Sequence, residues 1–269
     1  AQSDADQSTM LYGPSVKHKY TTGSGTGVTG DAIMNVGTDT ALVKITLTVT
    51  KLGKNAPNWV NVGDVFTDTE LIEPNKSVVF SQWDNNLGGM PAGTYAAAVY
   101  ESIADEGITP QPLIGASNDG KSMSPIPGGK GKTVYQLFAL EALTDYVAVP
   151  ILTEFEDGLT GGLTVQNVGA TASKIHFVFY EYGSLNQYHF WTKNALGENE
   201  AINSWGVSMN YGGYFENDGS WDWSELAGKQ FSAIVYSEGG QPINCVVFEN
   251  SPNSNVDIRN YEGQNFTTP

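Results

Sequence analysis

The sequence predicts an all-β protein built from two tandem β-sandwiches, and three observations carry that expectation. Strand-like stretches recur at roughly 8–15 residue spacing, with no long helical pattern. Charged residues make up only 16% of the chain, so Asn, Ser, Thr, Gly and Gln must supply much of its polar surface, a mix that suits strands and turns. And one pattern of strands and turns occurs twice.

The pattern is clearest in residues 161–183, GGLTVQNVGATASKIHFVFYEYG. Leu163 and Val165 point one way and Thr164 and Gln166 the other. Asn167-Val168-Gly169 then breaks the strand, because Asn and Gly tolerate the left-handed backbone a tight turn needs. A second strand follows with Ile175, Phe177 and Phe179 on one face and His176, Val178 and Tyr180 on the other. Residues 30–53 repeat the device: Asn35-Val36-Gly37 makes the break, and Val43, Ile45, Leu47 and Val49 line one face of the strand after it.

Taken in order, residues 1–9 form a small, polar arm, and the strand-like MLYGPSVKHKY is interrupted at Gly13-Pro14. After the first strand pair, Glu73-Pro74-Asn75-Lys76 reads as a turn before a strand at Val78–Phe80. Residues 88–102 give a further turn and strand, and QPLIGASND closes the unit. SMSPIPGGKGK, rich in Pro, Gly and Ser, reads as the linker. LFALEAL is compatible with a short helix, a strand or an irregular lead-in, and YVAVPIL with an edge or first strand, since Pro150 donates no ladder bond. After the pair around Asn167, AIVYSEGGQPINCVVF reads as a hairpin.

Six sites keep their order at separations of 130–136 residues: Pro14 with Pro150, Asn35 with Asn167, Gly93 with Gly228, Tyr100 with Tyr236, Pro112 with Pro242, and Asn118 with Asn250. That constancy argues for tandem duplication. The expected division is an N-terminal sandwich with its arm at 1–121, a linker at 122–133, and a C-terminal sandwich with its tail at 134–269.

The formal net charge is −16, from 13 Lys+Arg against 29 Asp+Glu. Such a surface repels nucleic acid and anionic membrane, and no run approaches a membrane-spanning helix. The single cysteine, Cys245, excludes an intrachain disulfide and a Cys-based zinc cluster, and its apolar setting suits an inert thiol. The Ala start fits a mature chain after leader removal, so export to the cell surface or beyond is expected.

The ordered elements resemble the tandem immunoglobulin-like (CARDB-like) adhesion-type repeats of secreted and surface prokaryotic proteins. They comprise an apolar strand ending in Pro, a Gly-led strand ending in QNVG, an aromatic and β-branched strand, an A-G-x-Y-like element, a VYS strand and a QPI-x-x-VV closing segment. The second unit matches from Tyr146 to about Tyr261; the first lacks the Gln before Asn35 and closes with the shorter QPLIGASND. The resemblance implies immunoglobulin-like or jelly-roll-like sandwiches and an exported structural, adhesive or assembly role, with no catalytic residues to carry over.

Candidate sites are few. Glu216, Asn217, Asp218, Asp222 and Glu225 crowd oxygen ligands around a glycine, which suits calcium or a solvated acidic turn. Trp221 and Trp223, with Tyr211, Tyr214 and Phe215, suggest a sugar-stacking platform or core. His18, His176 and His189 lack a nucleophile context, and acid pairs such as Glu154/Glu156 need a cleft to mean hydrolysis. The chain is expected to be non-enzymatic, a subunit of a surface filament, sheath or layer that forms homo-oligomers or homopolymers; a carbohydrate-binding or adhesion module is the other reading. Its two ends suggest the assembly contacts: Met10, Leu11 and Tyr12 at the start, and Tyr261 and Phe266 in the tail, any of which could add a strand to a neighbour's open sheet edge.

Overall fold

The computed structural model describes residues 7–22, 25–81, 87–123, 130–156, 159–204, 210, 213–250 and 258–266. Among them there is no α-helix, and the regular structure is antiparallel sheet. The chain divides into two compact units, Ala1–Leu143 and Thr144–Pro269.

The first unit holds β1 (Met10–His18), β2 (Tyr20–Thr22), β3 (Gly25–Asn35), β4 (Ala41–Leu52), β5 (Val65–Ile72), β6 (Ser77–Ser81), β7 (Thr94–Ile103), β8 (Leu113–Met123), β9 (Lys130–Gln136) and β10 (Phe138–Ala139). One sheet runs β10-β1-β7-β4-β5. The other runs β2-β3-β8-β9, with β6 also on β3. Their inner faces meet at Gly115. A Cβ there would lie 2.7 Å from Leu137, 3.0 Å from Ile33 and 3.1 Å from Leu11, so the glycine admits three apolar side chains from both sheets.

The second unit holds β11 (Tyr146–Glu156), β12 (Leu159–Asn167), β13 (Ile175–Glu181), β14 (Gln187–Thr192), β15 (Ala201–Asn203), β16 (Phe215–Asn217), β17 (Lys229–Ser237), β18 (Ile243–Asn250), β19 (Ile258–Glu262) and β20 (Gln264–Phe266). The path is β16-β14-β13-β17-β11-β12-β18-β19, with β15 on β12 and β20 on β11. It is one continuous sheet because β11 reaches its second neighbour unbroken. In the first unit Lys19, at φ 46°, splits the same run into β1 and β2. Phe177, Phe179, Phe190 and Phe231 fill the core with Val147, Leu163, Val165 and Val235.

Strand registers agree between the units. Gly13 opposite Ala98 and Val16 opposite Ala96 flank a bulge; so do Val149 opposite Ala233 and Leu152 opposite Phe231. Thr29 faces Asp119, and Gly161 faces Glu249. Leu11 lies between Tyr100 and Ala139, and Val147 between Val235 and Asn265.

The turns around Asn35 and Asn167 share one construction. Asn35 Nδ2 donates to the carbonyls of Asp39 and Ile72, both at 2.8 Å, and Oδ1 accepts from Gly37 N at 2.8 Å. Asn167 Nδ2 donates to Thr171 and Leu196 at 2.9 and 2.8 Å, and Oδ1 accepts from Gly169 N at 3.0 Å. A glutamine, Gln111 or Gln241, packs on the glycine in each.

Several expectations are corrected. Each Asn turn joins two strands as expected, but the strands it joins do not pair: β3 and β4 lie in different sheets, and β12 and β13 are not neighbours. Nor is AIVYSEGGQPINCVVF a hairpin. β17 pairs with β11 and β13 while β18 pairs with β12 and β19, the chain turning through Gly240 at φ +67° into Pro242, which has no N–H to give. The Pro/Gly-rich 122–133 segment does not divide the chain. Ser122 pairs with Lys130 and Gly120 with Lys132, so it joins two strands of one sheet, its 124–129 lying outside the described residues; the division falls at 143/144. Two Gly and two Pro within 124–129 suit a strand connection as well as a linker. LFALEAL is a short strand and a single 3₁₀ turn, Leu140–Ala142.

Candidate functional site

The acidic loop at 216–225 does not converge. Glu216 faces Lys174 at 3.9 Å. Asn217 spends its amide on Trp221 O at 3.0 Å and its carbonyl on Gly219 N at 2.9 Å. Asp218 accepts from Ser220. Asp222 and Glu225 form a capping box on the 3₁₀ turn Trp223–Leu226, with Ser224 N to Asp222 at 2.9 Å and Asp222 N to Glu225 at 2.8 Å. Asn217, Asp218, Asp222 and Glu225 are used in local turn geometry, and among the described residues no group of three or more His, Cys, Asp or Glu is placed to hold a metal ion.

The proposed assembly residues are also occupied within the chain. Leu11 and Tyr12 are buried in β1, which pairs with β7 on one side and β10 on the other; Met10 pairs with Glu101. Tyr261 sits in β19 opposite Val247, and Phe266 in β20 opposite Tyr146. β19 and β20 stand where β9 and β10 stand in the first unit, so each unit consumes its own last two strands.

Trp221 and Trp223 pack against the core, edge-on to Phe190 at 6.2 and 5.5 Å, and Tyr211 lies outside the described residues. A different aromatic surface exists on the face opposite that core. Trp191, His176, Tyr236, Tyr146 and Phe266 are direct cross-strand partners on five adjacent strands, β14, β13, β17, β11 and β20. Their ring centroids step by 5.8, 4.8, 5.3 and 5.7 Å. The His176 and Tyr236 planes lie within 11° of one another, and those of Tyr236 and Tyr146 within 16°. All five are half-buried. His176 Nδ1 and His189 Nε2 share a 3.0 Å hydrogen bond, and Tyr236 OH lies 3.4 Å from the same Nε2. Burial, then the neighbouring His189, holds His176 below the usual histidine range, which keeps the row uncharged. Sequence reading missed the row because its members lie far apart in the chain. The signal is the outward position of His176 in its strand, which only register connects to the other four.

In the first unit the notable group is internal. Lys17 Nζ of β1 lies 2.6 Å from Asp119 Oδ2 of β8, their side chains 17% and 6% exposed. The Thr29 hydroxyl accepts from Lys17 N at 3.0 Å and donates to Asp119 Oδ1; Ser15 Oγ lies 3.5 Å from Oδ2. Asp31 of β3 is 1% exposed and accepts from Tyr100 OH. Tyr135 OH donates to Ser15 O at 3.2 Å. Burial pushes the Asp31 carboxyl up to about 7 against the pull of Ser117 and Tyr100. Burial draws Lys17 down, but Asp119, Tyr95 and Asp31 carry it above the usual lysine range. Cys245 is buried, and burial raises its thiol far above reactive values.

Among the described residues no helix is long and apolar enough to cross a membrane. No protein-family model matches the chain, and no curated protein matches it in sequence. Among solved structures, the crystal structure of red sea bream transglutaminase is similar at a TM-score of 0.18 and 10% identity, over 97% of this chain and 32% of that one. The chain thus spans about a third of the transglutaminase, and a superposition that loose supports no argument about fold or activity.

Proposed function

We propose that this chain is a non-enzymatic structural protein of an extracellular or cell-surface assembly, made from two tandem copies of one jelly-roll-like or immunoglobulin-like β-sandwich. The observation that supports this reading most is the repetition of one turn. Asn35 and Asn167, each buried with a glycine two residues on and a glutamine packed on it, make the same hydrogen bonds in both units. Duplicated sandwiches that keep such internal geometry while their surfaces diverge are what a building block requires: rigid bodies presenting different faces. In this reading the chain forms homo-oligomers or homopolymers, through faces other than its termini. Light scattering across a concentration series, with negative-stain microscopy, tests it. Ordered polymers or a defined oligomer support it; a monomer at every concentration refutes it.

The aromatic row of the second unit favours a second reading, a carbohydrate-binding or adhesion module. Flat rings set about one strand spacing apart match successive sugar faces. Retention of the monomer on insoluble polysaccharide, lost in Tyr236→Ala, is its test, and unretained wild-type protein rejects it.

A further inference from the structure

We propose that Lys17 and Asp119 of the first unit become joined by an intramolecular amide bond, with Asp31 as the proton carrier, so that β1 is covalently strapped to β8 across the sandwich. The two groups are already in contact. Nζ touches Oδ2 at 2.6 Å, which places the nitrogen within van der Waals reach of Cγ, the carbon bonded to that oxygen. Thr29 fixes the other carboxylate oxygen and also holds the Lys17 backbone, so both partners are anchored by one hydroxyl. Such preorganisation replaces a bimolecular encounter with a fixed one.

The chemistry balances without a co-reactant. Lys17 enters as an ammonium and Asp119 as a carboxylate. A proton passes from Nζ to Asp31, and the freed amine attacks Cγ. The C–N bond forms, a C–O bond breaks, and Asp31 returns the proton to the departing oxygen. The second amine proton leaves with it as water. The net change is ammonium plus carboxylate to amide plus water, with no oxidation. Asp31 suits the task. It is buried, it feels both charges, and its Oδ2 is held by Tyr100. Its raised pKa puts proton uptake and release near neutrality. The driving force is electrostatic as well. A buried ion pair carries a large desolvation penalty, and a neutral amide of the same shape does not.

The second unit supplies an internal comparison. By register, Thr153 stands where Lys17 stands, Glu249 where Asp119 stands, and Leu163 where Asp31 stands. There Thr153 Oγ1 donates to Glu249 Oε1 at 3.0 Å. The site thus keeps a polar contact in both copies, but only the first has an amine, a carboxylate and a second buried acid.

Intact-mass measurement of the full chain, followed by proteolysis and fragmentation, tests the proposal. The expected wild-type mass falls short of the sequence mass by one water, and the loss maps to a branched peptide joining Lys17 to Asp119. Lys17→Arg, which keeps the charge but cannot form the amide, and Asp31→Asn are expected at full mass. A wild-type chain at full mass, or a water loss mapping elsewhere, overturns the proposal. An Asp31→Asn chain linked as completely and as fast as wild type overturns the role given to Asp31. Because the decisive measurement is on the unaltered protein, a variant that fails to fold does not blunt it.

Discussion

Replacing Asn167 with Ala strips the turn between β12 and β13 of its internal scaffold. The amide loses its bonds to Thr171 O at 2.9 Å and Leu196 O at 2.8 Å and a longer one to Gly197 O at 3.3 Å, and one acceptor bond goes, from Gly169 N at 3.0 Å. Each net bond contributes about 1 kcal/mol, and a carbonyl or amide left buried without a partner costs about 1–3 kcal/mol more. Asn167 is fully buried, so water does not readily replace the lost amide. The expected cost is about 3–5 kcal/mol, a shift of roughly 10–25 °C for a unit of this size. Asn35→Ala removes the matching three bonds, all at 2.8 Å, and is expected to cost the same in the first unit. Differential scanning calorimetry and urea unfolding of both single variants and the double variant form the assay. Two transitions are expected, each variant lowering its own, with additive costs in the double because the sites share no partner. A cost under about 1 kcal/mol for either variant, or a large cost in one unit with none in the other, would refute the view that the two turns are one device.

Other outcomes follow from the same contacts. Glu181 accepts from Asn186 at 2.9 Å, Lys229 at 3.0 Å and Tyr188 at 3.0 Å, which holds its carboxyl at about 2. Its contribution is therefore complete above the ordinary 4.5 and lost as pH falls toward 2; Glu181→Gln should flatten that limb of an acid-unfolding curve, and an unchanged limb counts against the assignment. Asp222→Ala removes the cap of the turn Trp223–Leu226 and should lower the melting temperature of the second unit slightly, with chelator leaving the melting temperature of the wild type untouched. Deleting residues 264–269 removes β20, exposes Val147 and Tyr146, and should lower the stability of the second unit in circular-dichroism melts even where no assembly occurs; an unaltered melt would mean that β20 contributes nothing.

Much of the architecture was readable because it rests on single residues with strict local demands, although not the left-handed backbone expected of them: Asn35 and Asn167 tie their turns by side-chain bonds, and Gly37 and Gly169 leave room for a glutamine. Asn35, Gly37, Asn167 and Gly169 mark the same turn at one spacing, and the prolines and glycines around them keep step. What such residues do not reveal is which strands then pair. A turn that brings a strand back beside its predecessor and one that carries it to the opposite sheet use the same Asn and Gly. The difference lies in the hydrogen bonds beyond the turn: Val36 N reaches Pro112 O and Val168 N reaches Pro242 O, tying each turn to a strand start far along the chain. The linker misled for a related reason. Pro and Gly report that a stretch leaves the ladder, and are silent on whether it returns to the same sheet.

The buried acid and lysine carried a signal of their own. Along β3 every second residue, Thr29, Asp31, Ile33 and Asn35, is buried, and Ile33 marks the face they share as the inner one. That burial places Asp31 inside the sandwich, where a carboxylate demands a partner, but in the sequence Val28, Ala32 and Met34 make the opposite face of β3 look equally apolar. The partner could not be read the same way. Lys17 and Asp119 lie 102 residues apart in the chain, in stretches whose mixed polar composition looks solvated. The matching registers of the two units narrow the search. In the second unit the positions of Asp31 and Lys17 hold Leu163 and Thr153, so the first copy carries two charges that the common pattern does not require. The second unit keeps only a carboxylate, Glu249, held by the Thr153 hydroxyl. The Lys17 amine and the second acid Asp31, present in one unit and absent at the matching positions of the other, point to chemistry with Asp119, and the mass of the intact chain reads that out directly.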